Sequence, residues 1–231
     1  MNLILLPGAL GHAAQFKNLI TELESYTINA LAIDLPGHGL NPYSPEAISV
    51  PRMAEAVLHK FDELEIKKPV TIFGHSLGGY IGLYICKYFP EKINGLFTLG
   101  TKWHWTEEIS KREISMLNPE KMEEKIPKYV EHLKSIHKQD WKTVVNSIAF
   151  LMNDLGQNHY LEPENLKEIN NTVRVGLGDR DAMVAIDETV NVYRALRNSQ
   201  LQIFPNTPHP FEKSDTKKLA MEIKGFLGVN L

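Results

Sequence analysis

Pro69-Val70-Thr71-Ile72-Phe73-Gly74-His75-Ser76-Leu77-Gly78-Gly79 is the stretch from which the rest of this 231-residue chain can be read. Its first half, Pro69 to Phe73, is a short apolar run rich in β-branched residues, which predicts a buried strand. Downstream, Ile81, Leu83, Tyr84, Ile85 and Tyr88 recur at helical spacing, which predicts a helix from Leu77 to Phe89. Ser76 therefore stands where a strand turns sharply into a helix, a cramped backbone conformation that projects its hydroxyl above the sheet edge. Gly74 and Gly78, two residues to either side, let that turn close against its neighbours. The Leu77 N–H falls in the first turn of the helix, where developing negative charge is stabilised.

Outward from this stretch the strand-then-helix alternation repeats. Asn2–Leu6 reads as a strand ended by Pro7-Gly8, and residues 12–24 as a helix with Phe16, Leu19, Ile20 and Leu23 on one face. A second strand is expected over Ile28–Asp34, closed by the turn cluster Leu35-Pro36-Gly37-His38-Gly39. Pro51 suits the first position of a helix with the apolar stripe Met53, Val57, Leu58, Phe61 and Leu64. Later strands are expected at Ile93–Leu99, Thr172–Leu177 and Gln200–Phe204, with helices at Asp187–Leu196 and Lys217–Leu227. Such alternation predicts an α/β fold with a mostly parallel sheet covered on both faces. Residues 101–170 break the pattern. They lack strand signals, carry helix starts at Thr106, Asn118-Pro119 and Asp140, and hold all three tryptophans. The expectation is a core of residues 1–100 and 171–231, with 101–170 as an all-helical cap over the strand ends.

Composition narrows the class. The length suits one α/β domain with an insert and suffices to bury roughly three-quarters of the unfolded chain's surface, so no disulfide or metal staple is required. With a net charge of −3 and no basic block, no nucleic-acid or membrane partner is expected, and the chain is expected to be a monomer or homodimer. The one cysteine, Cys86, cannot form an intramolecular disulfide and is expected to be a buried structural thiol. The apolar start Leu3–Leu6 is too short for a signal peptide or a membrane span, so cytoplasmic residence is the expectation. Neither H-E-x-x-H nor paired C-x-x-C occurs, and Gly176-Leu177-Gly178 is only a fragment of a dinucleotide fingerprint; neither metal nor cofactor is expected.

A serine hydroxyl becomes a nucleophile only with a base in reach, and the base needs an orienting acid. Both occur late in the chain. His209 lies in Asn206-Thr207-Pro208-His209-Pro210, a proline-stiffened loop directly after the last strand. Asp179 and Asp181 follow the preceding strand, where a loop carboxylate reaches the sheet's carboxyl edge. His75 is expected to form pocket floor or packing, and His12, His104 and Tyr80 are weaker candidates to face a ligand. The aromatic, Met-rich insert argues for an apolar substrate, with Leu10, His75, Trp103, Trp105 and Met152 as candidate pocket residues.

On these residues the chain resembles the α/β-hydrolase superfamily over nearly its whole length. Leu5-Leu6-Pro7-Gly8-Ala9-Leu10-Gly11-His12 is similar to that family's first glycine turn, and Asp34-Leu35-Pro36-Gly37-His38-Gly39 to its D-x-P-G-x-G turn. Gly74 to Gly79 is similar to its nucleophile elbow, and Gly178-x-x-Asp181-x-x-Val184 to its acid loop. The resemblance implies Ser76 as nucleophile, His209 as base and Asp181 as orienting acid, the spacing to Val184 favouring it over Asp179. It implies an oxyanion hole from the backbone N–H groups of Leu77 and Ala9, with Leu10 the near alternative to Ala9. The implied activity is cofactor-free cleavage of a small or medium carboxylic ester or thioester through an acyl-enzyme. Two departures stand out. Pro7 replaces the histidine usual before the first glycine, removing one supporting hydrogen bond, and the chain begins at what would be the family's third strand, implying a sheet of six. The same constellation serves carbon–carbon bond hydrolases, hydroxynitrile lyases and perhydrolases, and a low-turnover ligand receptor could keep it. Dehalogenase and epoxide hydrolase chemistry is disfavoured, since those relatives use aspartate where Ser76 stands.

Overall fold

The computed structural model describes residues 2–44 and 48–229; the expected domain limits at residues 1 and 231 lie outside them. In chain order the elements are β1 (Asn2–Leu6), α1 (Lys17–Glu24), β2 (Asn29–Ala32), α2 (Val50–Glu63), β3 (Val70–His75), α3 (Leu77–Tyr88) and β4 (Ile93–Leu99). The insert follows as α4 (Glu107–Ile114), α5 (Pro119–Lys125), α6 (Pro127–Ile136), α7 (Trp141–Gln157) and α8 (Pro163–Leu166). β5 (Thr172–Gly178), α9 (Ile186–Ala195), β6 (Ser199–Phe204) and α10 (Thr216–Leu227) complete the chain.

The strands form one sheet in the order β2-β1-β3-β4-β5-β6, and every pair is parallel. β3, the central element, is buried along its whole length, as its uninterrupted apolar run predicted. It runs two residues beyond Phe73 because Gly74 and His75 pair with Thr98 and Leu99 of β4. β2 is shorter than expected and lies at the sheet edge. The helix expected from residue 12 opens with a tighter turn at Ala13–Phe16, where the Gln15 side chain accepts the His12 N–H (3.2 Å).

Successive residues of each strand point to opposite faces and so fill two cores. Leu3, Leu5, Phe73 and Phe97 pack with Phe16, Leu19, Leu219 and Ile223 from the turn before α1, from α1 and from α10. Ile4, Leu6, Ile72 and Leu96 pack with Val57, Phe61, Ile81 and Ile85 from α2 and α3. Buried Val130, Leu133, Trp141, Val144, Ile148 and Leu151 of the insert belong to this second core, so insert and sheet share one interior. Within the insert, Thr106, Asn118 and Asp140 each cap a helix by accepting a backbone N–H three residues on, from Ile109, Lys121 and Thr143. Such a cap contributes about 1 kcal/mol. Cys86 is buried in α3, and burial pushes its thiol pKa up. No helix among the described residues is long and apolar enough to cross a membrane.

Candidate active site

Ser76 occupies the turn between β3 and α3 with φ 50° and ψ −116°, a strained conformation for a residue with a side chain. Such strain costs of order 1–3 kcal/mol and persists only where surroundings over-determine it. Here they do: the Ser76 N–H donates to Leu99 O (2.9 Å), and its carbonyl accepts from Gly79 N (3.0 Å) and Thr101 Oγ1 (3.0 Å). The flanking glycines are required by close approach. A Cβ on Gly74 would collide with the backbone of Gly78 and Gly79, and one on Gly78 with the backbone of Leu6 and Pro7.

Asp181 and His209 come from the loops after β5 and β6, which are laced together by Asp179 N–H to Phe204 O (3.0 Å) and Arg180 N–H to Thr207 O (3.1 Å). His209 Nδ1 lies 2.8 Å from Asp181 Oδ2, and Asp181 Oδ1 accepts the backbone N–H groups of Met183 (2.8 Å) and Val184 (2.9 Å). Burial works to raise the Asp181 carboxyl pKa, but the His209 hydrogen bond and charge, with the two backbone donors, outweigh it. The net shift is downward, so the carboxylate form is favoured. Asp179, the competing acid, is exposed and accepts the Thr207 N–H (3.3 Å) instead. His75 has a role that the sequence did not reveal. Its Nε2 lies 3.0 Å from the His209 carbonyl, which can only accept, so the proton is on Nε2 and the buried Nδ1 is left bare. Burial first, and the neighbouring His209 second, push its pKa down to about 4, which keeps it in this neutral form. No hydrogen bond joins the Ser76 hydroxyl to the His209 ring, although both residues line one cavity.

The loop after β1 brings Ala9 and Leu10 beside the serine. The Leu10 N–H donates to His38 Nε2 (3.2 Å), whose other nitrogen lies 3.0 Å from Pro36 O, so the Leu10 amide is engaged. The Ala9 and Leu77 amides make no hydrogen bond among the described residues. His137, just past α6, reaches both neighbouring loops: its Nε2 lies 3.1 Å from Leu10 O, and its Nδ1 accepts the Gly39 N–H (2.9 Å). Burial lowers the pKa of both His38 and His137, the latter to about 4, and each ring serves as donor on one side and acceptor on the other only while neutral.

Two cavities meet at Ser76. A large one of about 570 Å³ is lined by Ser76, His209, His75, Ala9, Leu10 and Met152, with His12, Tyr129 and His132 also on its wall. A small one of about 40 Å³ is lined by Ser76, Leu77, Ala9, Tyr80, Trp105 and Met152, among others. The expected pocket residue Trp103 lines neither: it is buried against Tyr80 with ring centroids 6.1 Å apart, and its backbone N–H is bonded to the Glu188 carboxylate. His104 is exposed and its N–H shares that carboxylate (2.6 Å). No group of three or more His, Cys, Asp or Glu among the described residues is placed to hold a metal ion.

Residues 1–188 match the family model of the thioesterase domain. A Bacillus subtilis protein described as uncharacterized hydrolase YugF is 24% identical, over 97% of this chain and 89% of its own. The pimeloyl-[acyl-carrier protein] methyl ester esterase of Neisseria meningitidis is 35% identical over 89 residues, 38% of this chain and 31% of that esterase. Among solved structures, a thermophilic esterase from Thermogutta terrifontis superposes with a TM-score of 0.78 at 17% identity, over 99% of this chain and 89% of that one. MenH from S. aureus superposes with a TM-score of 0.75 at 20% identity, over 99% and 93% of the two chains. These structural likenesses carry the fold, a parallel sheet flanked by helices. The chain belongs to the thioesterase-domain family and is a hydrolase of the α/β-hydrolase superfamily.

Proposed function

We propose that this chain is a serine hydrolase that cleaves a carboxylic ester or thioester through an acyl-enzyme. The observation that carries the reading is the Asp181–His209 pair at 2.8 Å, its ring on the wall of the cavity that Ser76 also lines. The Ser76 hydroxyl attacks the acyl carbon while His209 Nε2 takes its proton, and Asp181 stabilises the resulting imidazolium. The carbonyl electron pair moves to oxygen, where the free amides of Ala9 and Leu77 receive the negative charge. Collapse expels the alcohol or thiol, which takes the proton from His209. Water, deprotonated by the same imidazole, then releases the acid and restores the serine.

The insert supplies Leu117, Tyr129, Ile136, Ile148 and Met152 to the larger cavity, which supports its reading as a cap that holds substrate and excludes water. The thioesterase-domain match favours the thioester arm and the Neisseria relative the ester arm, so both leaving groups belong in the assay. Mixing the protein with p-nitrophenyl acetate and with an acetyl thioester tests the proposal. The expected result is a burst of product equal to the enzyme concentration followed by steady turnover, both lost in Ser76→Ala. Turnover that survives Ser76→Ala would overturn it.

A further inference from the structure

Two cavities share Ser76 as a lining residue, about 40 Å³ against about 570 Å³. His209 lines only the large one, while Leu77 and Trp105 line only the small one. This asymmetry bears on the chemistry. Around a tetrahedral carbon bonded to Ser76 Oγ, the oxyanion must point at the Ala9 and Leu77 amides. The leaving group must lie beside the imidazole that protonates it, and the acyl chain takes the direction that remains.

We propose that the small cavity is the acyl pocket and the large one the leaving-group pocket, so that the enzyme acts on short-chain acyl esters or thioesters of a large, mainly apolar, uncharged alcohol or thiol. This assignment rests on the serine-hydrolase reading above. At about 40 Å³ against about 570 Å³, the small cavity takes the shorter of the two chains of an ester. Lys102 borders this pocket, but its ammonium is engaged by Glu113 (3.6 Å) and the Met183 carbonyl (3.1 Å), so it offers no free cation for a carboxylate-tailed acyl chain. The large cavity has no lysine or arginine among its lining residues and carries Glu212, which disfavours an anionic leaving group. Ile148 and Met152 of α7 border both spaces, which makes them the insert's candidates for the wall between the two.

Two esters of the same formula test the orientation: hexyl acetate and methyl heptanoate. The expected result is a kcat/KM at least about tenfold higher for hexyl acetate, in line with the discrimination that a single misfitting methylene confers in an apolar pocket. Equal or reversed preference, with both cleavages abolished in Ser76→Ala, overturns the pocket assignment and leaves the hydrolase reading standing. Failure to cleave either ester while p-nitrophenyl acetate or the acetyl thioester is turned over likewise overturns the pocket assignment alone; cleavage undiminished in Ser76→Ala overturns both. Met152→Ala, with folding checked by circular dichroism, should raise methyl heptanoate turnover relative to hexyl acetate about fivefold or more, because removing the flexible thioether opens the partition. An unchanged ratio in the folded variant contradicts Met152 as the dividing wall.

Discussion

The sheet rim and the helical insert contribute to the same cavity by different physical means. At the rim, Ser76, Asp181 and His209 are held by the backbone: ladder register, crossed loop hydrogen bonds and a turn that only its surroundings keep strained. In the insert, Met152 and Ile148 are held by side-chain packing on the amphipathic helix α7. Backbone constraints fix an atom within a fraction of an ångström, whereas helix packing fixes a surface and tolerates exchange of what covers it. The rim is therefore suited to chemistry and the insert to choice of substrate.

That contrast breaks if substitutions on the two sides act alike. The largest effect is expected at the rim. His209→Ala should lower kcat by roughly 10⁴-fold or more, and a loss below threefold would remove His209 as the base. Asp181→Asn should cost about 10³–10⁴-fold, whereas Asp179→Asn should change kcat by less than about threefold; the reverse order would reassign the acid. His38→Ala frees the Leu10 amide and loosens the loop that carries Ala9, so kcat should fall by about tenfold or more with KM little changed. An effect confined to KM would place His38 outside the oxyanion loop's support. In the insert, Ile148→Ala should move KM and chain-length preference within about tenfold and leave the fluorophosphonate labelling rate close to wild type; a collapse of labelling would blur the distinction between the two regions.

Stability adds a pH-dependent test. His38, His75 and His137 are less basic folded than unfolded, so between about pH 6.5 and 4 the unfolded chain binds protons that the folded chain refuses. Stability is thus full above about pH 6.5 and is lost as pH falls through that window. Thermal melts should show Tm declining from pH 7 to pH 5, and a flat or rising Tm would contradict the neutral-histidine network.

The rim was legible because each of its groups sits where a strand ends, and strand ends carry local turn chemistry: Gly74 and Gly78 around Ser76, Pro208 and Pro210 around His209, Val184 three residues past Asp181. The strand ladder followed from the same runs of apolar residues, with errors of a residue or two where pairing to a neighbour set the limit. The insert gave up its helix starts through Thr106, Asn118 and Asp140, but not which side chains reach the site. Trp103 and Trp105 lie in a segment outside any helix or strand, with no period to sort them, and of the two Trp105 alone lines either cavity at Ser76. His137 carries no local signal at all. Its partners Gly39 and Leu10 are 98 and 127 positions away, a contact set by tertiary packing alone.

The central claim, that Ser76 is made nucleophilic by His209 and Asp181, is tested most directly by reaction with a fluorophosphonate followed by intact-protein and peptide mass spectrometry. One adduct per chain is expected, on the peptide containing Ser76, formed far more slowly in His209→Ala and absent in Ser76→Ala. No adduct on the wild-type protein, or an adduct that forms equally well without His209, would contradict the account.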